Sequence, residues 1–288
     1  MSSPTRRGTA VALGLAALVT ACSAQRPPAP PTSPAPRVSP TVHDSGASPG
    51  KPLAGKVVVI DPGHNTGNQY HTAEIDRLVD IGGSRKACDT TGTATDAGYP
   101  EADFTLDVAR RARTLLTALG AKVTFTQDGN RAWGPCVDER ARIGNAAHAD
   151  AAVSIHADGA AVGDRGFHVI LPAAVHAGIA DTRPIVAPSR TLGIDLRNRF
   201  AADTGEPFSN YVGHGTALDV RGDLGGLDLS TVPKVFIECG NMRDPQDAAR
   251  LTDASWRQRA ARGIADGIAA YLEGSGGSGR LGTPAQPG

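Results

Sequence analysis

Three short apolar runs in this chain each lead to a polar residue able to do chemistry. Val57-Val58-Val59-Ile60 runs into Asp61-Pro62-Gly63-His64, Ala151-Ala152-Val153 into Ser154-Ile155-His156-Ala157-Asp158, and Val235-Phe236-Ile237 into Glu238-Cys239-Gly240-Asn241. A continuous apolar run of this length suits a strand buried on both faces, where neither side meets water. These runs predict strands at 56–61, 151–156 and 234–239, with two more at 122–127 and 167–171. Helical patterns fall between them, at 101–119, 136–148, 189–202 and 254–272. The first places Phe104, Val108, Leu115 and Leu119 near one face and meets Gly120 where a stop is needed. Strands alternating with helices of this length predict an α/β fold, a three-layer sandwich with a twisted, mostly parallel sheet flanked by helices in a single domain.

In such a sheet the working residues gather beyond the carboxyl ends of the strands. His64, His156 and Glu238 therefore converge at one edge, and Glu101, which opens a helix after Tyr99-Pro100, can face the same edge. Two neutral imidazoles and one carboxylate suit Zn2+ and leave a position for water. A remaining carboxylate can then serve as general base and afterwards as general acid. Each residue also has a plainer reading. His64 can be a turn histidine, Glu101 an acid favoured by the helix dipole, His156 a satisfied strand-end histidine, and Glu238 the partner of a core arginine. No HExxH pair on one helix supports the metal.

The two ends of the chain read differently from the middle. Arg6 and Arg7, the apolar run from Ala10 to Val19, and Val19-Thr20-Ala21-Cys22 have the layout of an export signal at 1–22 ending in a lipobox-like segment, with Cys22 the expected lipidation site. Residues 23–53 hold nine prolines and read as a disordered tether. Residues 274–288 hold six glycines and read as a flexible tail. The domain between them, 54–273, is large enough for one sizeable core. Apolar residues at 40% and charged residues at 20% exclude wholesale disorder, and 29 basic against 29 acidic residues exclude a general nucleic-acid or anionic-lipid binder.

At these residues the chain resembles the zinc-dependent N-acetylmuramoyl-L-alanine amidases of the amidase 3 type, and most of all their compact mycobacterial and actinobacterial members. The resemblance runs over essentially all of 54–273. It is carried by Val58-Val59-Ile60-Asp61-Pro62-Gly63-His64, Glu101, Asp138-Glu139-Arg140 with Asn145, Ser154-Ile155-His156-Ala157-Asp158 and Val235-Phe236-Ile237-Glu238-Cys239-Gly240-Asn241. It implies His64, Glu101 and His156 as zinc ligands, Glu238 as the catalytic carboxylate, and 54–273 as the catalytic domain. The implied reaction is hydrolysis of the amide between the lactyl group of N-acetylmuramic acid and L-alanine of the stem peptide, in cell-wall remodelling or cell separation. The implied partner is peptidoglycan or its muramyl-peptide fragments, met by a monomer held through a lipid anchor at the outer face of the cytoplasmic membrane. Two other functions compete: a zinc peptidase of different specificity on the same fold, and a non-catalytic wall-binding lipoprotein.

Departures from the family pattern are local. Cys239 stands where an apolar residue is usual, and a small thiol can fill that place. The Gly/Thr-rich stretch 65–99 carries no substrate contact over from the family. Of the four cysteines, Cys22 is the lipidation candidate and Cys239 points away from Glu238 by strand alternation. Cys88 and Cys136 lie in loop-like surroundings, and a bridge between them is expected, as the actinobacterial relatives also suggest; the alternative is free thiols. The bridge would close a loop of about 48 residues for about 3–4 kcal/mol. Asp61 is expected to orient His64 from behind. Arg140 and Asn145 are expected to fix a helix against the sheet, and His214 is a candidate for touching substrate.

Overall fold

A computed structural model describes residues 51–277 of the chain. The expected export signal with Cys22, the tether as far as residue 50, and residues 278–288 of the expected tail lie outside the described residues. The elements are, in order, β1 (Val57–Pro62), α1 (Thr72–Ile75), β2 (Leu78–Asp80), β3 (Arg85–Ala87), α2 (Glu101–Ala118), β4 (Lys122–Phe125), α3 (Val137–Ala146), β5 (Ala151–Asp158) and β6 (His168–Pro172). There follow β7 (His176–Ala177), β8 (Ala180–Asp181), α4 (Val186–Thr204), β9 (Leu218–Arg221), α5 (Gly225–Asp228), β10 (Lys234–Asn241), α6 (Pro245–Leu251) and α7 (Ala254–Gly277).

Six strands form one sheet in the order β4-β1-β5-β10-β6-β9. Neighbouring pairs are parallel except β10 with β6, which run in opposite directions. The three strands whose ends drew attention in the sequence, β1, β5 and β10, are adjacent in the sheet and share one direction.

Side-chain alternation along these strands divides the labour of the two faces. Val58 and Ile60, Val153 and Ile155, and Val235, Ile237 and Cys239 join one core with Phe104 and Val108 of α2, Leu192 and Leu196 of α4, and Ile264 and Ile268 of α7. The opposite face carries Val59 and Ala152, packed with Ala149 and Val232. On that face the alternation also places Asp61, Ser154, His156, Lys234, Phe236 and Glu238, and α3 covers part of it through Arg140, which bonds Asp61. One face is thus a dry core and the other a polar floor.

The elements begin and end for local reasons. Pro100 occupies the N-cap of α2, with Glu101 and Asp103 in its first turn where the helix dipole favours acids. The helix stops at Leu119 and Gly120 follows at φ 99°. The fourth helix starts three residues before the expected 189, because Pro188 in its first turn removes only an N–H that would have had no helical partner. The last helix extends to Gly277, into the segment expected to be tail. At the other end Leu53 is fully buried and its N–H donates to the Leu119 carbonyl at 3.0 Å, so the packed body reaches one residue further back than 54. The β2–β3 and β7–β8 hairpins and edge strand β9 carry no apolar run and were not expected. No described helix is long and apolar enough to cross a membrane.

Candidate metal centre

His64 follows β1 through Pro62-Gly63, and its backbone is turned to φ 60°, a conformation strained for a residue with a side chain. The turn is fastened from several sides. Gly63 donates its N–H to the Ile155 carbonyl at 2.9 Å, and its own carbonyl accepts the Thr105 hydroxyl at 2.8 Å. The His64 carbonyl accepts from Gln127 at 3.1 Å and Arg140 at 2.8 Å. Glu101 arrives from the first turn of α2, and His156 from β5, where it lies directly beside Glu238 in the parallel register.

These positions bring three donors together. Glu101 Oε1 lies 3.0 Å from His156 Nδ1 and 3.2 Å from His64 Nε2, and the ligand atoms of all three residues fall within 4.8 Å of one another. Among the described residues this is the grouping of His, Cys, Asp and Glu that could hold a metal ion. The other oxygen of Glu101 accepts the Thr93 N–H at 3.0 Å. The His156 ring stacks on Phe236, with centroids 5.2 Å apart and planes 2° from parallel. Both imidazoles are therefore oriented before any ion arrives.

Two glycines make room for this. A Cβ on Gly63 would lie 2.3 Å from His156 Cε1, and one on Gly92 would lie 2.8 Å from both Glu101 Oε2 and His64 Cδ2.

The far nitrogen of His64 is held by a loop and not by Asp61. Its Nδ1 lies 3.0 Å from the Thr90 carbonyl and 3.5 Å from Asp89 Oδ1, which fixes the ring with Nε2 turned inward. Asp61 is not bonded to His64, contrary to the sequence expectation. Strand alternation aims its carboxylate across the polar floor, where it accepts from Thr126 at 2.6 Å, Arg140 at 2.8 Å, Ser154 at 2.9 Å and Lys234 at 3.0 Å. Arg140 joins the two acids: it also donates to Asp89 at 2.9 Å and to the carbonyls of Pro62 and Pro135. Asn145, further along α3, bonds the Leu229 carbonyl and the Thr231 N–H, fastening the helix to the segment that precedes β10.

Cys88 and Cys136 are joined by a disulfide across 48 residues. The bridge ties the loop bearing Asp89 and Thr90 to the N-cap of the helix bearing Arg140. Cys239 is a free thiol buried in the core on the other face. His214 is exposed in a turn at φ 49° and lines neither cavity beside the trio.

The electrostatics favour a cation. Burial works to strip His64 of a proton, yet Glu101 at one ring nitrogen and Asp89 at the other outweigh it and push its pKa up to about 10. Burial likewise opposes ionisation of Glu101, and the two imidazoles overcome it and hold the carboxylate below its usual range. Burial also resists the charge on Asp89, but Arg140 and His64 bring its pKa down to about 2. A proton on His64 thus occupies a place where a metal ion would satisfy the same acids.

Glu238 is the opposite case. It lines the same 290 Å³ cavity as the trio, but its Oε2 is buried without a hydrogen-bond partner. Burial first, then the charges of Glu101 and Asp158, raise its pKa well above the ordinary carboxylate value. A buried acceptor left unmet is costly in a resting protein and fits a group that awaits water or a ligand.

Comparison with known proteins agrees with this geometry. Residues 58–270 match the family model described as N-acetylmuramoyl-L-alanine amidase. The chain is 40% identical over 239 residues to N-acetylmuramoyl-L-alanine amidase Rv3717 of Mycobacterium tuberculosis, covering 81% of this chain and 93% of that protein. The crystal structure of the N-acetylmuramyl-L-alanine amidase Ami1 of Mycobacterium smegmatis superposes with a TM-score of 0.70 at 42% identity, covering 77% of this chain and 99% of the other. For apo Ami1 of Mycobacterium abscessus the corresponding values are 0.68, 40%, 76% and 100%.

Proposed function

The chain belongs to the N-acetylmuramoyl-L-alanine amidase family, and we propose that it hydrolyses peptidoglycan at the amide between the lactyl group of N-acetylmuramic acid and L-alanine, using zinc held by His64, Glu101 and His156. The observation that carries this reading is the juxtaposition of a two-imidazole, one-carboxylate trio with a second, unpartnered carboxyl on the neighbouring strand. The donor set suits zinc with a place left for water, and zinc bound there would polarise the scissile carbonyl and lower the pKa of the attacking water.

Glu238 supplies the proton traffic. Its carboxylate takes a proton as water adds to the carbonyl. It then delivers one to the alanine nitrogen, which leaves poorly as an amide anion and readily as an amine. Burial brings its proton affinity up toward the range useful for this exchange. The Asp89–Thr90 loop keeps His64 in the tautomer that offers Nε2, and Phe236 keeps the plane of His156 fixed.

We further propose that the protein is exported by the signal at 1–22, lipidated at Cys22, and carried outward on the proline-rich segment to act in wall remodelling or cell separation. The supports are the charged and apolar parts of that signal, its lipobox-like end, and a disulfide of the kind that persists outside the cytosol.

The test is mass spectrometry of products from a muramyl peptide incubated with the protein, with added Zn2+ and after chelation. Chelator-sensitive release of a peptide with a free L-alanine amino terminus is expected. A cut within the peptide would instead identify a peptidase. Glu238→Gln is expected to keep zinc and lose about 10²–10⁴-fold in rate, the span typical of general acid–base groups; full activity in that variant would overturn the assignment.

A further inference from the structure

A second cavity of 300 Å³ adjoins the trio and shares His64, His156, Arg221, Leu224 and Phe236 with the first. Its size is at the lower end of ligand pockets, about 300–1,000 Å³. The walls alternate between apolar surface, from Val137, Leu224 and Phe236, and charge. Arg221 stands at the end of β9, and Lys86 at the middle of β3. Both cations reach a single carboxylate, Asp223: Arg221 donates to its two oxygens at 2.9 and 2.8 Å, and Lys86 Nζ lies 3.6 Å away. The acids on the cavity floor are already answered, Asp61 by Arg140 and Lys234, and Asp89 by Arg140. Two cations facing one acid leave positive charge unmatched at the rim.

A substrate cut at the muramyl–alanine bond has two arms. The sugar arm is uncharged once its lactyl carboxyl is an amide. The peptide arm carries carboxyl groups, the first of them on the second residue, whose α-carboxyl is free when that residue is linked onward through its side chain. We infer that this second cavity receives the start of the stem peptide, and that Arg221, seconded by Lys86, reads the α-carboxylate of its second residue. The substrate class is therefore an acidic, side-chain-linked glutamyl peptide, with its α-amidated form disfavoured. The forked guanidinium matches a carboxylate in two parallel bonds, which a neutral amide reproduces poorly. The alanine side chain rests against Leu224 and Phe236. Arg221 also lines the cavity that holds Glu238, so the residue that sets specificity lies next to the one that moves protons.

This inference rests on the amidase reading, and one experiment separates the two. The zinc-loaded full chain is assayed on muramyl-L-alanyl-D-glutamate and on its α-amide, muramyl-L-alanyl-D-isoglutamine. The carboxylate form is expected to be preferred in kcat/KM by on the order of tenfold to a hundredfold, the worth of a charge-assisted bidentate pair. Arg221→Gln is expected to collapse that ratio toward one, chiefly through KM, while Arg221→Lys retains part of it. Calorimetric binding of the free dipeptides L-Ala-D-Glu and L-Ala-D-isoglutamine gives the same comparison without turnover. Equal use of the two substrates by the wild type, or an unchanged ratio in Arg221→Gln, would overturn the inference and leave the amidase reading standing. Cleavage of neither substrate, with no preference between the dipeptides in binding, would bring down both.

Discussion

Arg140 is the side chain whose removal should reveal most about how this site is held. It is buried, and its guanidinium makes five hydrogen bonds, to Asp61, Asp89 and the carbonyls of Pro62, His64 and Pro135. Burial penalises its charge, yet Asp89 and Asp61 more than offset that and raise its pKa. Arg140→Met leaves Asp61 with Lys234 as its sole cationic partner and Asp89 with only the imidazole of His64. Breaking a buried ion pair from one side costs about 3–5 kcal/mol, and the stranded carbonyls add to it without being strictly additive. We expect a loss of about 4 kcal/mol, which for a domain of this size lowers Tm by roughly 8–16 °C. Arg140→Lys keeps the charge but not the fork and should lose roughly half as much. The two bonds that reach the His64 carbonyl and Asp89 predict a second effect, zinc affinity weakened by about 10–100-fold. Urea denaturation in the presence of chelator measures the first, and competition with a chromophoric chelator the second. Arg140→Met within 1 kcal/mol of wild type and equal to it in zinc affinity would refute the claim that this network holds the ligand in place.

Three further outcomes follow from the geometry. Gly63→Ala would place a methyl group 2.3 Å from His156 Cε1; the fold should survive with Tm little changed while zinc affinity falls by about tenfold or more, and unchanged affinity by chelator competition would contradict this. Replacing Cys88 and Cys136 together with serine opens a loop of 48 residues and should cost about 4 kcal/mol in urea unfolding on the chain-entropy account, an effect that reduction of the wild type should reproduce. Asp89 has its pKa lowered from 3.8 to about 2 by Arg140 and His64 against the opposing effect of burial. Its stabilising contribution, on the order of 2 kcal/mol, is present above the unfolded value and lost as pH falls through the folded one, so stability measured between pH 5 and pH 2 should fall less steeply in Asp89→Asn than in wild type.

The residues that meet at the centre were legible because each stands at a position the sequence marks. His64 and Glu238 close apolar runs and His156 follows one, and Glu101 opens a helix behind a proline. Nothing comparable marks Asp89 and Thr90. They lie in the 65–99 stretch, where the path of the chain is set by a short hairpin and a disulfide and not by any hydrophobic period. The expectation that Asp61 orients His64 failed on geometry: the strand points Asp61 toward α3, and the turn at Gly63-His64 carries the imidazole away from it. Arg140 was read as a fastening of helix to sheet, which it is, but its link to Asp89 joins elements 51 residues apart and leaves no local trace. Edge strand β9 was missed because it pairs on one side only, with β6, so half its residues need not be apolar. With it went Arg221, whose place beside the trio depends on that strand.

The order of the sheet has a consequence for the life of the chain. The strands β4, β1 and β5 form one slab and β6 and β9 another, and β10, the last strand to be synthesised, is the slat between them. Until residues 234–241 are in place the two slabs share no ladder, and each presents an open edge where β10 belongs. The same strand carries Glu238. A polypeptide still emerging, or one cut short before this point, can hold His64, Glu101 and His156 and yet lack both the seam of its sheet and the proton carrier proposed here. Mechanical completion and chemical competence therefore arrive together, in the final fifth of the sequence, and a half-built molecule is a blunt one.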